Sequence, residues 1–290
     1  MTFWYEEIGK RLKAFRLGSD LSVDVIARQI GISRTALYRF EKGKLAKIET
    51  LEKVATLLDV SVPTLLGIGT EYIASAVSYF ERLRQIEETA SHIVALAGPI
   101  PFLLGSEEFE SGLPEVLRES IPENVPGRRK ALADVSAIME ILHQRKELYL
   151  QRRPSVVSIL SAIEIQRFLA NGFVGNSTLG GPVLRHRRAV ARRVIQHFAT
   201  IIESPPMGVQ VGIVPDTLPH AGFQIFSRPG RPILSISPFR LGEQPNIRVG
   251  VAMITSAPEA LALHEKAVNE MWRLALKGES ATRLLRKMLG

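Results

Sequence analysis

Two groups of residues in this 290-residue sequence combine reactive side chains with regular spacing. The first is Arg34, Thr35, Tyr38 and Arg39, introduced by Ser33 and followed by Lys42, Lys44 and Lys47. On a helix, Arg34, Thr35, Tyr38 and Arg39 turn outward while Leu37 and Phe40 turn inward. Two guanidinium forks, a hydroxyl and a phenol displayed together suit an acceptor-rich or anionic partner. The bland alternative is the solvated face of a small helical bundle, the usual fate of outward arginines taken singly. The second group is the run Arg185-His-Arg-Arg188 with Arg192, Arg193 and His197. Arg185, Arg188 and Arg192 share a helical face at spacings of three and four. They could bind a phosphorylated or carboxylated effector, or add phosphate contacts with nucleic acid. A solvated helix face with acidic neighbours is the commoner outcome for such a run.

Other chemistry finds no footing. With no cysteine there are no disulfides, thiolate zinc sites or cysteine nucleophiles. The histidines (His92, His143, His186, His197, His220 and His264) are scattered, and none forms HExxH or another close metal spacing. His220, between Asp216 and a phenylalanine-bearing strand, could line a pocket, although a loop histidine is more often plain surface. Residues 175–181, GNSTLGG, lack the Gly-Lys-Ser/Thr ending of a phosphate loop, and no GxSxG elbow is present. No catalytic residue, cofactor or metal is therefore expected, and the chain reads as a non-enzyme.

The elements that position the first group are short helices. Residues 2–16 place Ile8, Leu12 and Phe15 at helical spacing, with Lys10, Arg11 and Lys13 turned away. Gly18-Ser-Asp20 breaks this helix. Ser22 caps the next, residues 23–30, which buries Val23, Ile26, Ala27 and Ile30, with Asp24 near its positive end. Gly31 permits the left-handed turn that ends it, Ile32 plugs the turn, and Ser33 caps a third helix, residues 34–42, stopped by Gly43. A fourth helix over residues 47–58 would bury Ile48, Leu51, Val54, Ala55 and Leu58, and Ser61-Val-Pro-Thr opens a fifth that ends near Leu66.

The string LSVDVIARQIGISRTALYRFEKGK and the tail IETLEKVATLLDVSVPTLL resemble the Cro and lambda-repressor class of helix-turn-helix domains, the XRE family, over residues 6–67. Ala27, Gly31, Ser33, Glu41-Lys42-Gly43 and the tail from Leu51 to Leu66 carry the resemblance. The sequence departs from it at Val23, where many members have a glutamine that braces the reading helix and touches a phosphate. The resemblance implies that the helix after Ser33 enters the major groove, where every base pair presents a different pattern. Arg34 and Arg39 would each fork onto a guanine, worth about 1–3 kcal/mol of discrimination. Thr35 would meet a base edge or thymine methyl, and Tyr38 a base or the backbone. Lys42, Lys44 and Lys47 would meet phosphates. The implied protein is a sequence-specific transcriptional regulator. It would act as a homodimer on double-stranded operator DNA with half-sites ~10 bp, or a multiple, apart.

Beyond the head, residues 71–97 read as one long helix through Ile73, Val77, Phe80, Leu83, Ile86, Ala90, Ile93 and Ala97. It would connect or dimerise, or else pack on its own domain. Residues 98–290 alternate helices and strands, with helices expected over 107–120 (interrupted near Pro114), 128–150, 162–171 and 183–203. Strands are expected over 155–160, 209–214, 223–226, 233–236 and 247–254, and two helices close the chain over 258–276 and 280–289. The fold class is thus an all-α five-helix head over residues 1–70, then an α/β or α+β domain with a mixed sheet. This order, with strings such as PSVVSILSAIEIQRFL and VQVGIVPDTLPHAGFQIF, resembles the domain of uncharacterised role that follows such heads in one group of bacterial regulators. It implies no ligand and no catalytic residue.

Composition agrees with an anionic partner. The net charge is +8, of which residues 1–70 hold +3, so charge alone does not locate the binding surface. Hydrophobic residues at 46% can fill a core in both parts, but no apolar run is long enough to span a membrane. The N-terminus lacks the pattern of a secretory signal, so a cytoplasmic location is expected. The C-terminal domain would sense a small molecule or a partner protein. The alternatives are an enzyme that uses DNA binding for autoregulation, or an antitoxin-like domain that neutralises another protein.

Overall fold

Serine caps and glycine stops divide the first seventy residues into five helices. The computed structural model describes residues 2–44, 47–96, 98, 100–216, 218 and 222–290. Helix α1 (Thr2–Gly18) is followed by α2 (Val23–Ile30), α3 (Arg34–Glu41), α4 (Ile48–Leu57) and α5 (Val62–Leu66). Ser22, Ser33 and Ser61 cap α2, α3 and α5, each side-chain oxygen accepting from an amide three residues on. Gly31 sits at φ +75° and donates to the carbonyls of Ala27 and Arg28, closing α2 in the left-handed conformation that glycine alone adopts cheaply. Leu12, Ile26, Leu37, Val54 and Leu65 meet in the middle of the five helices. Ile48, expected inward, is 61% exposed, because it occupies the first position of α4, before that helix reaches the core.

Residues 71–97 are not one helix. They form strand β1 (Thr70–Ile73), helix α6 (Ala76–Glu87) and strand β2 (His92–Leu96). Ser75 caps α6 by accepting from the Ser78 amide. Strand pairing then outweighs the three-and-four spacing on either side: β1 pairs with a distant C-terminal strand, and β2 lies between two others. Every residue of α6 except Arg84 is buried. This corrects the connecting or dimerisation helix expected here, since α6 has no free face to offer a second copy.

The chain continues through a 3-10 turn (Phe102–Leu104), α7 (Glu107–Glu119, unbroken through Pro114), α8 (Arg128–Arg152), β3 (Ser155–Ser161), α9 (Ala162–Asn171) and α10 (Gly181–Glu203). Strands β4 (Val209–Val214), β5 (Gly222–Ser227), β6 (Ile233–Ser237) and β7 (Ala252–Thr255) follow, then α11 (Pro258–Leu274) and α12 (Gly278–Leu289). The strands form one mixed seven-stranded sheet in the order β1-β7-β6-β5-β2-β3-β4. Strands β2, β3 and β4 run parallel, each entered through a helix; the remaining pairs are antiparallel. The expected strand over 247–254 shrinks to β7.

Alternation along the strands gives the sheet two buried faces. Ile93, Val156, Val211 and Phe226 join a core that continues without a break through α6 and α8 into the head, while Ile159, Phe223 and Leu234 pack with Leu261 and Val268 of α11. Helix α1 lies against α6 as well as α3, so the head rests on the sheet domain chiefly through α1, with α5 against β1 and Asp20 paired with Lys130 of α8 at 3.2 Å. Among the described residues no helix is long and apolar enough to cross a membrane.

Candidate nucleic-acid interface and an internal cavity

Helix α3 is anchored by Leu37, wholly buried, and half-buried Phe40; its other side is open. Ser33, Arg34, Thr35, Tyr38 and Arg39 are exposed, as are Lys42, Lys44 and Lys47 just beyond the helix. All eight side chains expected at a nucleic-acid surface therefore stand in solvent around one helix and its exit. The Arg34 guanidinium lies 5.8 Å from the Tyr38 ring centroid and 3.6 Å from Asp24 on α2. A hydrogen bond with Tyr38, followed by the charge of Asp24, raises its pKa above the ordinary arginine value. The Asp24 pair is more than half exposed on both sides, the kind of contact that contributes little to stability.

The far end of α3 is gripped by α1. Arg16 donates to both oxygens of Glu41, at 2.5 and 3.1 Å. Gly9 lets the helices touch: a Cβ there would lie 2.5 Å from the carbonyl oxygens of Phe40 and Glu41. The polar side of α1, expected in solvent, instead faces β1 and α6. Arg11 donates to Glu71 at 2.7 Å, Lys10 to Glu88 at 2.7 Å, and Lys13 lies 3.5 Å from Glu81. Arg82, fully buried, donates twice to Glu71 at 2.9 Å and once to Gln85, whose amide donates to the Lys10 carbonyl. Burial pushes the Glu71 carboxyl up, but the charges of Arg82 and Arg11 outweigh it and hold the pKa below the ordinary carboxylate value. Sequence reasoning missed this joint because Glu71, Arg82 and Gln85 fell in the supposed long helix.

The basic helix α10 uses its arginines at home. Arg188 donates to the Ala170 carbonyl at 2.6 Å, near the end of α9, and Arg192 to the Leu289 carbonyl at the end of α12. Both satisfy carbonyls that a helix end leaves open. Arg185 is exposed, and the buried member of the run is Arg187, held between Glu115 at 3.0 Å and Glu119 at 2.5 Å. Arg185, Arg188 and Arg192 thus share a face without converging on a pocket. His220 lies outside the described residues. Among the described residues no three His, Asp or Glu side chains gather to hold a metal ion.

A cavity of about 580 Å³ opens between the sheet, α6, α8 and the segments around residues 100 and 240. Leu83, Ile93, Phe102 and Phe239 form part of its apolar lining. Tyr79 and Arg145 stand at its wall already partnered. The Tyr79 hydroxyl lies 3.0 Å from Ser235, and Arg145 makes two bonds to Glu87 at 2.9 and 2.7 Å. Burial pushes the Tyr79 phenol up. Glu243 is occupied by Arg167 at 2.9 Å and Asn171 at 2.8 Å, whereas Glu164, also at the wall, has its Oε2 buried with no partner. No motif announces this cavity, since its lining is drawn from eight separate stretches of chain that only the fold brings together.

The helix-turn-helix family model matches residues 12–65, which contain α2, α3 and α4. The HTH-type transcriptional regulator SinR of Bacillus subtilis (strain 168) is 36% identical over 80 residues, covering 26% of this chain and 72% of SinR. SinR of Bacillus licheniformis matches to the same extent. Among solved structures, the archaeal chromatin protein TrmBL2, whose structure shows a novel mode of DNA binding, aligns with 79% of this chain and 61% of its own, at 10% identity and a TM-score of 0.32. A likeness that slight supports no inference about the sheet domain.

Proposed function

Because the chain belongs to the XRE-type family of helix-turn-helix transcriptional regulators, we propose that it reads operator DNA as a homodimer, with its sheet domain adjusting that reading to a small molecule in the cavity. The observation that carries the first part is the display on α3. Arg34, Thr35, Tyr38 and Arg39 are exposed on a helix whose start, floor and far end are all fixed by Ser33, Leu37 and Glu41. Such a helix enters the major groove without rearrangement, its arginines meeting guanine edges and its exit lysines meeting phosphates. The exposed Arg34–Asp24 pair yields at small cost to a base edge.

The second part rests on a shared wall. Tyr79, Phe80 and Leu83 of α6 line the cavity, while Arg82 and Gln85 of the same helix reach toward α1, which grips the end of α3. A ligand that fits one setting of α6 better than another would move the head between settings. A ligand that fits both equally would change nothing.

Recovery of genomic fragments bound by the full chain, with an Arg34→Ala/Arg39→Ala control, tests the DNA reading. The expected motif is two-fold symmetric, with half-sites ~10 bp or a multiple apart. The control should keep its thermal midpoint yet lose about 1–3 kcal/mol for each guanine contact, relaxing specificity at those positions. Equal, salt-labile affinity of the native chain for every duplex would overturn the proposal.

A further inference from the structure

The two buried side-chain atoms left without a hydrogen-bond partner among the described residues are Ser158 Oγ and Glu164 Oε2. Both belong to the β3–α9 unit, on the side of the sheet that bears the cavity. Ser158 is the register partner of Ala95, and Ala95 and Glu164 both line the cavity. An unmet buried carboxylate oxygen is costly, more so than a neutral group left in the same state. Glu164 lines the cavity, which brings its carboxylate within reach of a ligand held there.

The other charged groups at the wall are already engaged. Arg145 is held by Glu87, and Glu243 by Arg167 and Asn171. Arg240 also lines the cavity, but it is exposed, so bulk solvent can serve it as it cannot serve the buried oxygen. What Glu164 Oε2 lacks is a hydrogen-bond donor, best met by a charged one on a body that fits the apolar lining.

We infer that the cavity binds an apolar molecule headed by an amine, with Glu164 receiving the ammonium group. This inference rests on the sensing role proposed for the cavity and names the chemistry of what is sensed. The amine donates to Glu164 Oε2 and has further N–H groups free for a neighbouring acceptor, while its hydrocarbon body lies along Leu83, Ile93 and Phe102.

Three probes with the same chain and different heads test it on the full-length protein: decylamine, decanol and decanoate, each titrated calorimetrically below its micelle-forming concentration. Decylamine should bind the native chain most tightly and decanoate least. Glu164→Gln should weaken decylamine by about tenfold, the loss of one charge-assisted bond, and change decanol little. Binding of the probes should weaken in Ala95→Phe, which takes up part of the cavity from β2. Decanoate binding as tightly as decylamine, no decylamine binding, or decylamine binding unchanged by Ala95→Phe would each overturn the inference. The comparison of heads needs no variant, so misfolding of a variant cannot rescue it. Operator affinity measured with and without probe separates the two ideas. Tight decylamine binding that leaves operator affinity unchanged contradicts the sensing role alone. A decanoate preference that alters operator affinity contradicts the amine alone.

Discussion

Glu71 takes three hydrogen bonds from two guanidinium groups, one from Arg11 of the head and two from Arg82 of α6, and is almost wholly buried. Its pKa in the folded chain lies below the ordinary value, because the two positive charges outweigh burial. The stability it contributes is therefore complete above its unfolded pKa, about 4.3, and is lost as pH falls through the lower folded value. Glu71→Gln leaves Arg82 buried without its hydrogen-bonded carboxylate, with only the unbonded charges of Glu7 and Glu81 near it, and should lower unfolding free energy by about 3–5 kcal/mol at neutral pH. Urea denaturation should also show a shallower loss of stability below pH ~4 in the variant than in the native chain, since one titrating group is gone. Identical acid limbs would show that Glu71 is not held as described. Nothing in the sequence marks Glu71 or Arg82 as buried, because a charge is buried by virtue of its partner, and these partners lie 60 and 11 residues away. The outward set of α3 was legible for the opposite reason: Ser33, Leu37 and Gly43 act locally, and local signals survive without a fold.

At the scale of elements, helices with a cap and a stop could be read from the sequence, whereas 71–97 could not. There Ile73 and Ile93 continue the spacing of α6 by coincidence, and only pairing with β7, β3 and β5 turns their segments into strands. Strands β3 to β6 were legible because Pro, Gly and Asp punctuate them. A close backbone approach between elements of the head is at Gly9, which no periodicity reveals. Alanine at this position would favour an isolated helix by up to ~1 kcal/mol. Its Cβ would lie 2.5 Å from two carbonyl oxygens of α3, however, and backbone must move to admit it. Overpacking of this kind costs about 1–3 kcal/mol and here tilts α3 on its floor. Gly9→Ala should therefore lower the thermal midpoint and weaken operator binding together. An unchanged midpoint and affinity would mean that α1 does not clamp the reading helix.

Taken whole, α1 packs against both α3, which displays exposed charge, and α6, which lines the cavity, and each has its own measurable signature. Lys42, Lys44 and Lys47 are exposed beyond α3. If they neutralise phosphates, each lysine changed to alanine should reduce the slope of log affinity against log salt by about 1, with little effect on preference between sequences. The path between head and cavity needs a variant that removes one link of the connection while sparing both ends, and Arg11 offers one. It reaches from α1 to Glu71, yet touches neither the display on α3 nor the cavity wall, and Glu71 keeps both bonds from Arg82 when Arg11 is lost. Arg11→Met should cost about 1.5–3 kcal/mol for one bond to a charged group, leaving a folded chain. Its affinity for a cavity ligand and for operator should each stay near the native value when measured alone. The ratio of operator affinities with and without ligand, which is the coupling itself, should fall toward one. Because coupling is reciprocal, the same variant should also lose the effect of operator on ligand affinity. A native ratio in both directions would show that the Arg11–Glu71 bond does not carry the coupling, leaving it to the other bonds between α1 and the α6 region.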